Sequence, residues 1–159
     1  MKKIYIIPGW QESSKYKIYQ TLAMLAKKKG YDVLFYDVDW NKPLSKQIFS
    51  VQKNSVIIGF SLGAVLAHLI AQKYKCRKLI LASMTPLRSF KDIKLKNELV
   101  NLLGQSFIED ISKKLHSKHC ALNQVIIYGD REGEQGDVII PHAGHRLNRQ
   151  YNKEIINLL

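Results

Sequence analysis

Ser55-Val56-Ile57-Ile58-Gly59-Phe60-Ser61-Leu62-Gly63-Ala64-Val65-Leu66-Ala67-His68-Leu69-Ile70 is the stretch on which the fold turns. Its first half, Ser55 to Phe60, is almost wholly apolar and β-branched, the pattern of a strand buried on both faces. Its second half, Ser61 to Tyr74, is rich in Ala and Leu and predicts a helix. Between them lies Gly59-Phe60-Ser61-Leu62-Gly63, a G-x-S-x-G sequence at a strand-to-helix turn. So sharp a turn puts the serine at its tip. Side chains two residues to either side would crowd the turn, and glycine occupies both places. The Ser61 hydroxyl is then expected to project above the sheet, with the Leu62 N–H aimed at whatever it attacks, as one donor of an oxyanion hole. The plainer alternative is that Ser61 only caps the helix.

Working outward, strands and helices alternate. Strands are expected at Lys3–Ile7, Tyr31–Tyr36, Ser55–Phe60, Lys78–Ala82, Val125–Tyr128 and Val138–Ile140. Helices are expected at Lys15–Lys29 (stopped by Gly30), Pro43–Val51, Ser61–Tyr74, Asp92–Leu103, Phe107–Leu115 and Asn148–Leu159. This alternation predicts an α/β three-layer sandwich, a mostly parallel sheet of about six strands covered on both faces. In such sheets, sites form beyond the carboxyl ends of the strands. No repeat, low-complexity tract or linker divides the chain, so one domain spans residues 1–159.

With these motifs and this order, the sequence resembles the α/β-hydrolase superfamily. The resemblance assigns the second oxyanion donor to the turn after the first strand, Pro8-Gly9-Trp10-Gln11. Trp10 is the implied donor, with Gln11 next. It places the base in Pro141-His142-Ala143-Gly144-His145, where Gly144-His145 looks like the superfamily's closing Gly-His signature. His145 is then the base, His142 a loop residue, and His68 a structural group inside its helix. The acid is expected three residues after the glycine that ends the fifth strand, at Glu132. Asp130, directly after Gly129, competes for the role. An acid in this place orients the imidazole and stabilises its charged form. By length and motif layout the chain is similar to the small, nearly lidless serine hydrolases of the retinoblastoma-binding-protein-nine and YdeN-like type. Residues 86–122 match neither and form either a small helical cap over Ser61 or ordinary crossover helices.

The chain departs from the superfamily at one point. Only about eight residues separate the acid loop from the last strand, where a parallel crossover usually takes roughly a dozen or more. An antiparallel hairpin there would carry His145 to the wrong end of the sheet. Eight extended residues span about 26 Å, enough to return along a strand and keep the pairing parallel.

Composition limits the remaining choices. Hydrophobic residues make up 46% and charged residues 24%, as in a globular domain. The apolar start Ile4–Ile7 breaks at Pro8, too short for a secretory core of about 7–15 residues, and no run approaches the ~20 apolar residues of a membrane span. A cytoplasmic protein is expected. Its two cysteines, Cys76 and Cys120, then read as free structural thiols, and no metal-ligand spacing is found around them or around His116 and His119. The net charge is +12. The lysines are scattered without interleaved aromatics, so a solvated basic surface is expected and nucleic acid is not.

Together these imply a serine hydrolase acting on a small-molecule ester, thioester or amide by acyl transfer through Ser61, without a cofactor. Phe60 and Gln11 are expected near the substrate, with Trp10, Phe60 and Leu62 lining an apolar acyl pocket. The alternative is a binding protein that keeps the fold with an impaired site.

Overall fold

A computed structural model of the chain describes residues 2–159. The strands are β1 (Lys2–Ile7), β2 (Tyr31–Phe35), β3 (Val56–Phe60), β4 (Lys78–Ala82), β5 (Gln124–Gly129) and β6 (Val138–Ile140). The α-helices are α1 (Lys17–Lys28), α2 (Leu62–Lys73), α3 (Ile93–Leu103), α4 (Gln105–Lys114) and α5 (Arg149–Asn157). The strands form one sheet in the order β2-β1-β3-β4-β5-β6, and all five pairings are parallel.

Every residue of β3 is buried, as its unbroken apolar run requires of a central strand. On one face of the sheet, α1 and α5 bury Tyr19, Leu22, Ala26, Tyr151 and Ile155 against Ile4, Ile6, Ile58 and Ile80. The other face is covered by α2, which is buried along most of its length, and by Phe107, Ile108 and Ile111 of α4. The spacing of Tyr19, Leu22, Ala23 and Ala26 puts one stripe of α1 on the sheet, and Gly30 ends it in the left-handed region at φ 83°.

The short connection between β5 and β6 closes parallel. Ile127 pairs with Val138 and Gly129 with Ile140. A 3₁₀ turn at Asp130–Glu132 tightens the start of the return, and the Asp137 N–H donates to the Ile126 carbonyl at 2.8 Å. The eight residues therefore run back along β5, and the segment after β6 emerges at the same end of the sheet as Ser61.

One expected element is corrected. Residues 43–51 are not a helix beyond a 3₁₀ turn at Leu44–Gln47. The Gln47 side chain accepts from the Asp39 N–H and donates to the Asp39 and Lys42 carbonyls, which folds the loop around itself. Ile48 is extended, and Phe49 stacks on Tyr36 with ring centroids 4.6 Å apart. Tertiary packing outweighs the weak helical preference of this stretch. In residues 86–122, α4 packs on the core with Phe107, Ile108 and Ile111 buried, whereas α3 lies at its margin, with Leu99, Val100 and Leu103 partly buried against it and no side chain fully buried.

Candidate active site

The sheet order reverses between β1 and β3: the chain passes from β1 outward to β2, then back across to β3. The crevice beyond their carboxyl ends is the topological switch point of the fold. Ser61 follows β3 there, and Pro8-Gly9 follows β1.

Ser61 holds φ 54° and ψ −123°, a strained backbone for a residue with a side chain, costing about 1–3 kcal/mol. Its side chain makes no capping bond to α2. Two close approaches permit the turn. A Cβ on Gly59 would lie 2.5 Å from the Ala64 Cα, and one on Gly63 would overlap the Pro8 carbonyl oxygen. The obstacles are backbone, so neither can move aside. Gly63→Ala is therefore expected to cost about 3 kcal/mol and to displace the turn, readable as a fall in melting temperature together with loss of Ser61 reactivity.

The Ser61 Oγ lies 2.8 Å from the His145 Nε2, and the His145 Nδ1 lies 2.8 Å from the Glu132 Oε2. The other carboxylate oxygen, Oε1, accepts from the Ser83 hydroxyl at 2.7 Å, the Tyr151 hydroxyl at 2.6 Å and the Gly129 N–H at 2.8 Å. Burial opposes ionisation of Glu132. The bonds from His145, Tyr151, Gly129 and Ser83 outweigh it and hold the carboxyl at about 2, below the ordinary 4.5. Glu132 is thus a carboxylate at neutral pH. It places the imidazole proton on Nδ1 and leaves Nε2 free to accept from Ser61.

Asp130 has a different partner. Its carboxylate accepts from the His142 N–H at 2.9 Å, and that bond holds its carboxyl below the usual carboxylate range. The neighbouring Arg131 N–H donates to the Ala143 carbonyl at 3.0 Å. These two residues clamp the loop that carries His145. The structure brings Glu132, and not Asp130, to the histidine ring.

Phe60 is 4% exposed, with its ring 5.6 Å from His145 and 6.2 Å from Tyr151. It supports the histidine from below and has almost no surface left for a substrate, a correction to its expected place in the acyl pocket. Trp10 is half-buried against the core, and among the described residues neither its N–H nor that of Leu62 makes an internal hydrogen bond. Gln11 is exposed and left-handed at φ 57°. The loop is held from behind: Gly9 N–H donates to Glu12 at 3.1 Å and to the Tyr19 hydroxyl at 3.2 Å, and Tyr19 donates to Glu12. His68 is buried in α2 with Nε2 on the His116 carbonyl, away from Ser61. A cavity of about 300 Å³ opens beside His145 and Glu132, walled by Met84, Pro86, Tyr128 and Arg131.

Sequence reasoning missed Ser83, Tyr151 and the Glu12–Tyr19 brace. Ser83 directly follows β4 at a strand carboxyl end, a position that signals a site. Tyr151, on the closing helix, carries no such signal. Among the described residues its hydroxyl bonds only to Glu132 and Ser83. Tyr151→Phe is therefore expected to lower kcat about tenfold with KM unchanged, while Ser61 keeps its reactivity toward an irreversible probe at a reduced rate.

No protein-family model matches the chain, and no curated protein sequence does. Solved structures do. A protein of Agrobacterium vitis S4 provisionally named a hydrolase aligns at TM-score 0.70 with 11% identity, over 99% of this chain and 86% of its own. Est1E from Butyrivibrio proteoclasticus aligns at TM-score 0.69 with 13% identity, over 99% and 84%. The ydeN gene product of B. subtilis aligns at TM-score 0.53 with 14% identity, over 99% and 80%. By its parallel sheet, element order and structural neighbours, the chain has the α/β-hydrolase fold in a minimal, single-sheet form.

Proposed function

We propose that the chain is a serine hydrolase that cleaves a small ester, thioester or amide by acyl transfer through Ser61. The supporting observation is the continuous hydrogen-bonded chain from the Ser61 Oγ through His145 to Glu132, set at a strained turn above the sheet. In the first step the Ser61 oxygen bonds to the substrate carbonyl carbon and its proton passes to the His145 Nε2. Oxygen charge develops on the former carbonyl, opposite the free N–H groups of Leu62 and Trp10. Collapse breaks the bond to the leaving group, which takes the proton from His145. Water, activated by the same nitrogen, then attacks the acyl-enzyme, and Ser61 recovers its proton on release of the acid. The imidazolium formed at each stage faces the Glu132 carboxylate, which stays ionised throughout.

The test is labelling of the folded protein with a fluorophosphonate, with the adduct located by mass spectrometry and Ser61→Ala as control. An adduct on Ser61 that is absent from the variant is expected, followed by turnover of short-chain esters or thioesters. Well-folded protein with no adduct would overturn the hydrolase reading in favour of a binding role.

A further inference from the structure

In a parallel α/β sheet, strand amino ends and helix carboxyl ends gather at one pole, opposite the crevice that holds Ser61. Here that pole is strongly basic. Lys27, Lys28, Lys73, Lys113 and Lys114 lie in the last turns of α1, α2 and α4, and all are exposed. The helix dipole favours cations at those places and accounts for them. It does not account for Lys2, Lys53, Lys75 and Lys118, exposed at strand starts and in the loops that feed them. Among the described residues, only Lys113 in this set has a carboxylate within ion-pairing range, Glu109 at 3.9 Å. At the opposite pole, the carboxylates that follow the strand carboxyl ends, Glu12, Asp37, Asp39, Asp130, Glu132 and Glu134, offset a similar number of cations, among them Lys15, Lys17, Lys42, Arg88, Arg131, Arg146 and Arg149. The charge of +12 is therefore polarised along the strands.

An apolar side chain stands within the basic pole. Leu122 is 66% exposed, and its N–H donates to the Cys76 carbonyl, which fixes the loop beside Lys75 and Arg77. The cations there are lysines, compact point charges. The pole's one arginine, Arg77, is half-buried and donates to the Tyr31 hydroxyl, so no guanidinium fork is free for base edges or phosphate pairs. A field of lysines around one exposed leucine suits the headgroup layer of an anionic bilayer better than a nucleic acid groove.

We propose that this pole docks on anionic phospholipid headgroups at a bilayer surface, with Leu122 entering the headgroup layer. The docked protein turns Ser61 and its crevice away from the lipid, toward water, so the surface holds the protein without blocking the site. The docking does not depend on the reaction at Ser61.

The experiment is co-sedimentation with vesicles of phosphatidylcholine, alone or mixed with phosphatidylserine, at low and high salt. Binding is expected only to the mixed vesicles and is lost at high salt. Affinity should fall about fivefold for each of Lys53→Gln and Lys75→Gln, and about threefold or more for Leu122→Ser, which leaves the charge unchanged. The residues are exposed, so melting temperature serves as the control for folding. Absence of binding to mixed vesicles at low salt overturns the proposal. So does indifference to the lysine changes, and so does vesicle binding unaffected by Leu122→Ser, which would mark a general polyanion field.

Discussion

Ser61→Ala is expected to lower kcat by about 10⁴- to 10⁶-fold, and His145→Ala by a similar factor, because nucleophile and base act as one unit. The double variant should be scarcely worse than either single one. The Ser61 Oγ reaches Nε2 at 2.8 Å, so loss of either atom removes the only acceptor or the only nucleophile in that contact. Neither change should unfold the protein, since His145 is exposed and the Ser61 side chain makes no capping bond. Ser61→Gly separates two effects. It removes the nucleophile and also relieves the positive φ of 54°, so it should abolish turnover while raising stability by about 1 kcal/mol. Steady-state kinetics and thermal melts on these variants test both statements. Full stability with undiminished turnover in Ser61→Ala would exclude this serine from the reaction.

Glu132→Gln should lower kcat by about 10⁴-fold, and Asp130→Asn by no more than a few fold. The cause is the division of labour between the two carboxylate oxygens. Oε1 accepts three bonds and Oε2 accepts one from His145. A glutamine must turn its NH₂ toward one side. Facing Ser83, Tyr151 and Gly129, it leaves the Gly129 N–H without an acceptor and forces the two hydroxyls to turn and accept. Facing His145, it donates to Nδ1 and drives the proton to Nε2, where it confronts the Ser61 hydroxyl in the wrong tautomer. Asp130→Asn keeps a side-chain carbonyl oxygen for the His142 N–H, so the loop clamp survives. Stability gives an independent check. The folded Glu132 carboxyl sits at about 2 against an ordinary 4.5, a lowered value, so its contribution is present above pH 4.5 and is lost as pH falls toward 2. Glu132→Gln should flatten that part of the stability profile, measured by denaturant midpoints across the same range.

The layers and the parallel sheet were legible because the central strands are short and apolar, α1 carries a 3.6-residue apolar stripe, and α2 is an apolar run long enough to be a buried helix rather than a strand. Residues 43–51 were not legible. Their extended course depends on Phe49 stacking on Tyr36 and on the Gln47 bonds across the loop, both set by partners distant from local propensity. The direction of β6 could not be read from length alone, since eight residues permit either pairing. It follows from the 3₁₀ turn at Asp130–Glu132 and the Asp137–Ile126 bond. The placement of Ser61 at a strand end was open to inspection because the glycines report the crowding there. The bonds from Tyr151 and Ser83 to Glu132 were not, because they join positions 19 and 49 residues away through the packing of α5 and β4.

The eight-residue return between β5 and β6 also divides the site in sequence. Glu132 and His145 are 13 residues apart, whereas His145 and Ser61 are 84 apart. The carboxylate and the imidazole belong to a C-terminal unit made of β5, its connection, the edge strand β6 and α5. The serine belongs to the central β3–α2 unit, buried on both sides. Edge units of this kind open at lower free energy than central ones. Partial opening of the C-terminal segment would silence the protein with Ser61 and its turn still folded. Amide protection should then fade first in β6 and α5, and inactivation should run ahead of global unfolding.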